Sequence, residues 1–133
     1  SEPIEEVDGE VQFKPGWGKD EKGNIRRDDY DPKDHPHHSK ADPHTAALED
    51  LEDYLYKKAD PEDDANLINA FHDLNTSVKD YEDGFGGVTE EIVTNNLLTF
   101  SDMLKNDEDL NLKNLFAASS AAVSAFLKEK RKN

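Results

Sequence analysis

Residues 61–83 read PEDDANLINAFHDLNTSVKDYED and carry the clearest helical pattern in the chain. Apolar side chains recur there at spacings of four, three, four and three residues, at Leu67, Phe71, Leu74, Val78 and Tyr81. A helix with 3.6 residues per turn brings side chains at these spacings onto one face. The segment therefore predicts an amphipathic helix that buries this face against other helices.

Two copies of Lys-Ala-Asp-Pro mark the starts of two helices, at residues 40–43 and 58–61. In each copy we expect the Asp carboxylate to accept hydrogen bonds from the first free amides. Pro suits the first helical position because its missing N–H would have no partner there. These signals predict a first helix at about 43–58 and a second at about 61–83. The first helix should bury one face and expose another: Ala47, Leu48, Leu51, Tyr54 and Leu55 inside, and Glu49, Asp50, Glu52 and Asp53 outside.

Two further helices follow a glycine-rich stop, Gly-Phe-Gly-Gly at residues 84–87. Thr89 is expected to cap a third helix. The fourth helix, at about 110–129, is rich in Ala and Ser, which favours close packing between helices or self-association. The predicted buried residues are Val93, Leu97, Phe100 and Leu104 in the third helix, and Leu112, Leu115, Phe116, Val123 and Phe126 in the fourth. Short connections favour antiparallel neighbours, so we predict an all-α, up-and-down bundle of about four helices over residues 43–129.

Residues 1–42 hold four of the six prolines and four of the seven glycines, and we predict an extended, mostly irregular arm. This arm precedes an acidic helical bundle at residues 43–133. Within residues 11–27, the segments 11–14 and 24–27 are expected to pair as a short hairpin across a turn-prone stretch. A lone hairpin is marginal in water, so it should lie against something. We predict a partner-binding role for the aromatic residues of the arm, Phe13, Trp17 and Tyr30, although Trp17 also suits a pocket on its own helices.

The chain has a net charge of −15, and the acid is concentrated on the helical part. Residues 44–127 carry 18 Asp plus Glu against five Lys. This excess disfavours direct nucleic-acid binding and binding to anionic membranes, and it favours a protein partner with a basic surface. No segment resembles a signal peptide or is apolar for the ~20 residues of a transmembrane helix, so we expect a soluble protein of no indicated compartment.

A histidine-rich segment offers the one candidate metal site. Residues 34–38 read Asp-His-Pro-His-His, and imidazole nitrogens are ligands of Zn²⁺, Ni²⁺ and Cu²⁺. The candidate ligands are His35, His37 and His38. An exposed histidine-rich linker can also bind such ions adventitiously, so the segment alone does not distinguish the two interpretations.

No residue pattern indicates a catalytic site or a cofactor, and we predict that the chain is not an enzyme. The leading hypothesis is a non-enzymatic interaction or assembly protein, such as an accessory subunit of a virion or another large complex. One alternative is a DNA-mimic inhibitor of a nucleic-acid-binding enzyme, and another is a histidine-rich metal-binding protein. The acidic face on which the first two hypotheses depend comprises Glu49, Asp50, Glu52, Asp53, Glu62, Asp63 and Asp64.

Overall fold

The computed structural model describes residues 1–132, and Asn133, the last residue of the predicted bundle segment, lies outside them. The described chain is mainly helical, as predicted. Its four helices are α1 (Pro43–Lys58), α2 (Ala65–Asp83), α3 (Glu90–Leu104) and α4 (Leu110–Arg131). Four short strands precede them: β1 (Ile4–Val7), β2 (Glu10–Phe13), β3 (Trp17–Lys19) and β4 (Ile25–Arg27), with a single 3₁₀ turn at Pro32–Asp34. The main helix pairs are α1 with α4 and α2 with α3.

The Lys-Ala-Asp-Pro signals predicted the bounds of α1 correctly. The predicted start of α2, at about residue 61, is wrong, because the helix begins at Ala65. Asp60 accepts hydrogen bonds from the amides of Glu62 and Asp63, at 2.8 and 3.0 Å, and these bonds hold residues 61–64 in a turn before the helix begins. In α1 the expected side-chain cap is absent, since the Asp42 carboxylate bonds to no amide of the first turn. Thr89 does cap α3, accepting from the amide of Ile92 at 3.3 Å.

The buried stripe of α3 is confirmed in full, whereas the stripes of α2 and α4 differ in part. In α2, Ile68 is fully buried, while Leu67 and Tyr81 are only half-buried. The reason is that α2 packs against β1 as well as against α3, which shifts and widens its buried face. In α4, the expected Leu115 and Phe126 are half-buried, and the core also includes Leu127.

The small residues of α4 differ in how far they are buried. Ser119 is fully buried, and its hydroxyl lies 3.1 Å from the carbonyl oxygen of Ala47 on α1, so it permits the close approach of these two helices. The alanines expected beside the buried face are instead mostly exposed, namely Ala117, Ala118 and Ala121. Among the small residues of α4, Ser119 is thus the one that is fully buried.

The arm is more regular than predicted, because residues 4–27 form two hairpins where the sequence indicated one. β1 pairs with β2 across Asp8-Gly9, whose φ angles of 52° and 82° suit a two-residue hairpin turn. β3 pairs with β4, with Trp17 opposite Arg27. The predicted pairing of 11–14 with 24–27 is therefore wrong, because the Asp-Gly turn gives β2 a partner much closer in sequence, and β4 pairs with β3 instead.

The hairpins pack on the helices and share their core. Ile4 of β1 and Ile25 of β4 are buried in the same apolar cluster as the helix side chains. Asn69 of α2 holds β1 by its main chain: the Ile4 N–H donates to Asn69 Oδ1 at 3.0 Å, and Asn69 Nδ2 donates to the Ile4 carbonyl at 2.9 Å. The arm is therefore part of the folded unit.

Within residues 1–132, no helix combines the length and the apolar character that crossing a membrane requires.

Asn69→Ala should lower the free energy of unfolding by about 2 kcal/mol, since two hydrogen bonds of about 1 kcal/mol each are lost. Asn66→Ala is the matched control, because Asn66 lies on the same helix and is exposed. Both changes add the same helix propensity, so the difference between them reports the bonds to β1. Urea unfolding measures both, and equal stabilities of the two variants would contradict the assignment.

Candidate functional site

The arm packs on the acidic face of α1. Helical periodicity places Glu49, Asp50, Glu52 and Asp53 on the side of α1 away from the buried Leu51. The sequence predicted that these carboxylates face solvent. In the structure each is only partly exposed, because side chains from residues 26–38 lie over them.

Arg26 makes the strongest of these contacts. Its neighbour Ile25 is fully buried, which anchors β4 in the core and brings Arg26 onto α1. The guanidinium lies 3.3 Å from Glu52 Oε1 and 3.0 Å from Asp53 Oδ1, and only 10% of the Arg26 side chain is exposed. Burial raises the pKa of Glu52, and the charge of Arg26 opposes that rise. The ion pair thus opposes the protonation of a partly buried carboxylate.

Aromatic rings enclose the same guanidinium. The Arg26 Cζ lies 4.7 Å from the ring centre of Tyr30 and 5.9 Å from that of Tyr56, within the range of cation–π attraction. Tyr30 also stacks on His35 at 4.8 Å. Tyr30, predicted to bind a partner, is therefore used at least in part to enclose Arg26.

His37 and His38 lie beside Arg26, over the first half of α1. The Nε2 atoms of both rings approach one oxygen, Asp50 Oδ1, at 3.1 Å from His37 and 2.8 Å from His38. His37 Nδ1 lies 3.2 Å from Asp53 Oδ2 and 3.7 Å from Glu49 Oε2. The structure therefore brings together two of the three predicted metal ligands and adds Asp50. His35 is not among them, since it stacks on Tyr30.

A groove of about 790 Å³ runs between the arm and helices α1 and α2. Trp17 and Tyr56 form part of its wall, with Glu52 and His72 nearby. Trp17 packs edge-on against Tyr56 and His72, at centroid distances of 6.5 and 5.5 Å. Its indole N–H is buried and has no hydrogen-bond partner among the described residues. The groove has aromatic walls, and its lining carries both carboxylates and the basic side chains of Lys22, Arg26, Arg27 and Lys79.

The other predicted arm residues also contact the chain's own helices. Phe13 and Trp17 are half-buried and pack against the core. Of the two environments considered for Trp17, the structure shows a pocket on its own helices. Binding of a partner by the arm stays a prediction, with less free aromatic surface than an extended strap would present.

The remaining acidic residues lie in the turn before α2. Glu62 and Asp63 are exposed, whereas Asp64 accepts a hydrogen bond from the Asp60 amide at 2.8 Å and is half-buried. The acidic face therefore divides into an α1 part that contacts the arm and a turn at 62–63 that is open to solvent.

A third histidine, His44 at the start of α1, contacts a carboxylate of α2. His44 is buried, stacks on Phe126 at 4.0 Å, and places Nε2 3.1 Å from Glu82 Oε1. Asp42 lies close enough to complete a group of three ligand atoms within 4.8 Å of one another. The group holds a single imidazole, and its ring stacking accounts for the position of His44 without a ligand.

Sequence reasoning missed Arg26 as a site residue, and it assigned Asp50 to the acidic face without linking it to the histidines. Arg26 and Asp50 each lie in a region where charged residues are frequent, so neither stands out by composition. One signal was present for Arg26, because it follows the isolated apolar residue Ile25 in a predicted strand. No signal paired Asp50 with histidines 12 and 13 residues earlier, since that contact depends on how the loop at residues 35–41 returns to α1.

Comparison with protein-family models, with curated proteins and with solved structures found no match for this chain. Its function is therefore argued from the chemistry of its own residues.

Arg26→Met should lower the free energy of unfolding by about 2 kcal/mol, because Glu52 loses its ion pair while the aliphatic stem is largely kept. The double variant Arg26→Met with Glu52→Gln should recover most of this loss, since no unpaired carboxylate remains at that position. Lys105→Met, at an exposed position after α3, is the matched control. Thermal and urea unfolding measure all three, and an unchanged stability of Arg26→Met would contradict the role of the ion pair.

The contribution of His72 to stability should be lost as the pH drops from about 6.5 to about 4. Burial lowers the pKa of His72 from its ordinary 6.5 to about 4, and nearby positive charges add to this effect. The folded state thus favours the neutral ring, so the contribution of His72 is complete above pH 6.5 and is lost as the pH falls towards 4. The charged groups that face His72 are the amino terminus, Glu2, Lys14 and Arg27.

His72→Gln should flatten this part of the pH profile of unfolding, which Trp17 fluorescence can follow because Trp17 is the one tryptophan of the chain. The neighbouring Asp73 changes the stability with pH in the opposite direction. Partial desolvation and the neighbouring Glu2 carboxylate raise its pKa from 3.8 to about 7, so its contribution is complete at pH values below 3.8 and is lost as the pH rises to about 7. Asp73→Asn removes the contribution of Asp73. If His72→Gln leaves the dependence of stability on pH unchanged in the Asp73→Asn background, the prediction is contradicted.

Proposed function

We propose that this chain is a non-enzymatic interaction or assembly protein that binds a protein partner through a basic surface of that partner. The observation that carries the proposal is that some carboxylates are paired within the chain and others are exposed to solvent. Those of α1 are partly neutralised by Arg26, whereas Glu62 and Asp63 stay open to solvent. With a net charge of −15, such open carboxylates steer a basic surface towards the chain and help to select it.

The arm supports a scaffold role because it belongs to the folded unit. Its two hairpins share the core with the helices through Ile4 and Ile25. A rigid scaffold loses little conformational entropy when it binds. We propose an up-and-down order for the four helices, consistent with the pairing of α1 with α4 and α2 with α3. Self-association through the exposed alanines of α4 stays a prediction, as does membership of a virion or another large complex.

The DNA-mimic alternative is less well supported by the geometry. A DNA mimic needs a continuous line of solvent-exposed carboxylates, because these take the place of the phosphates that the inhibited enzyme binds. Glu52 and Asp53 contact Arg26, and Asp50 contacts two histidines. The α1 part of that line is therefore covered by the arm.

Charge-neutral variants of the open turn test the proposal. The double variant Glu62→Gln with Asp63→Asn should weaken binding to a partner captured from the native source by about tenfold, since each exposed charge pair contributes up to about 1 kcal/mol. The matched control is Asp102→Asn with Glu108→Gln, which changes the net charge equally at exposed positions elsewhere. Binding should also weaken as NaCl rises from about 50 to 500 mM, because salt screens exposed charges.

Surface plasmon resonance with the purified partner measures both effects. A partner that binds equally well at high salt, or that loses the same affinity with both double variants, would contradict a specific contact at residues 62–63.

A further inference from the structure

We propose that His37, His38 and Asp50 form a site for a divalent transition metal ion such as Zn²⁺. The inference goes beyond the proposed partner binding and does not depend on it. Two imidazole nitrogens and a carboxylate oxygen converge there, with the three ligand atoms all within 4.8 Å of one another. Imidazole and carboxylate together are a usual ligand set for Zn²⁺.

The two nitrogens of His37 both face carboxylates. Nε2 lies 3.1 Å from Asp50 Oδ1, and Nδ1 lies 3.2 Å from Asp53 Oδ2. A neutral imidazole carries one N–H, so one of these contacts sets a nitrogen lone pair against a carboxylate oxygen. That arrangement is unfavourable unless a second proton or a metal ion lies between the two atoms.

A metal ion at Nε2 resolves this contact in the pattern that metal-binding histidines commonly show. The other nitrogen, Nδ1, then carries the proton and donates it to Asp53. Histidines that bind metals usually donate their second N–H to a carboxylate or carbonyl, which orients the ring and raises its basicity. Asp53 is in turn held by Arg26 at 3.0 Å, so this supporting contact is itself positioned.

His38 reaches the same carboxylate, with its ring stacked on that of His37 at a centroid distance of 3.8 Å. Its Nε2 lies 2.8 Å from Asp50 Oδ1 and 3.1 Å from the carbonyl oxygen of Ala46. Its backbone N–H donates to Glu49 Oε2 at 2.9 Å, which fixes the loop on α1. The Ala46 carbonyl or solvent is available for the fourth position of a tetrahedral ion.

The distances suit an ion of the size of Zn²⁺. For metal–ligand bonds of about 2.0–2.1 Å, neighbouring ligand atoms of a tetrahedron lie ~3.3 Å apart. The separations of 2.8 and 3.1 Å from Asp50 Oδ1 to the two nitrogens require only small side-chain movements. Local charge favours a cation as well, because Arg26 pairs with only two of the four α1 carboxylates, Glu52 and Asp53. The other two, Glu49 and Asp50, contact His37.

Binding would connect two separate parts of the chain. His37 and His38 belong to the exposed loop after the 3₁₀ turn, whereas Asp50 lies in the middle of α1. An ion shared between them would hold the loop on the helix and stabilise the folded state by mass action. The group of Asp42, His44 and Glu82 is the weaker candidate because it offers one imidazole.

Isothermal titration of the full, untagged chain with ZnCl₂ tests the proposal. We expect one ion per chain with micromolar or tighter affinity, and a rise in Tm of about 5–10 °C when the free metal exceeds Kd by about 100-fold. Asp50→Asn and His38→Gln should each weaken binding at least tenfold, and Asp53→Asn should weaken it by about tenfold or more through the lost support of His37.

His35→Gln is the matched control, because His35 lies in the same segment but stacks on Tyr30 outside the cluster. It should bind Zn²⁺ like the unchanged chain. Circular dichroism checks that each variant folds. Line broadening of the His37 and His38 ring signals by substoichiometric Ni²⁺ locates the ion in the unchanged chain, independently of any variant.

Three outcomes would overturn the proposal. The first is the absence of heat at micromolar Zn²⁺. The second is an equal loss of affinity in His35→Gln and His38→Gln with none in Asp50→Asn, which indicates adventitious binding by a histidine-rich loop. The third is a loss of binding in Glu82→Gln with none in Asp50→Asn, which places the ion at His44. None of these outcomes bears on the partner bound through residues 62–63.

Discussion

Ile25 and Arg26 are adjacent in β4, and their joint attachment to the helices is the constraint on which the rest of the structure depends. Ile25 is fully buried in the shared core, and Arg26 lies between two carboxylates of α1 and the rings of Tyr30 and Tyr56. Apolar burial supplies stability without direction, whereas the guanidinium contacts have defined geometry. Together they determine where the arm crosses α1.

Because of Arg26, part of the acidic charge of the chain is paired internally and is not free to bind a partner. A helix with four neighbouring carboxylates would repel itself if they were all open to solvent. On α1 the chain supplies its own counter-charge, so much of this acid stabilises an internal contact. The carboxylates that remain free for a partner are those outside the arm contact, of which Glu62 and Asp63 are examples.

The histidine cluster follows from the same arrangement. Once β4 is held on α1, the chain continues through the 3₁₀ turn at Pro32–Asp34, and the following loop lies over the first half of the helix, at Ala46, Glu49 and Asp50. His37 and His38 then meet Asp50, and Asp53 links them to Arg26. A metal site at this position would reinforce the attachment that Ile25 and Arg26 establish.

The sequence alone determined the mainly helical class, the bounds of α1, the cap at Thr89 and the buried stripe of α3, because these depend on periodicity and capping within one segment. The tertiary structure decided the rest. Asn69 binding Ile4, Ile68 in place of Leu67, and Asp50 meeting His37 and His38 are contacts between segments distant in sequence, and no local pattern encodes such contacts. The Asp8-Gly9 hairpin was a local signal that the sequence did contain, and only the placement of that hairpin on α2 required the fold.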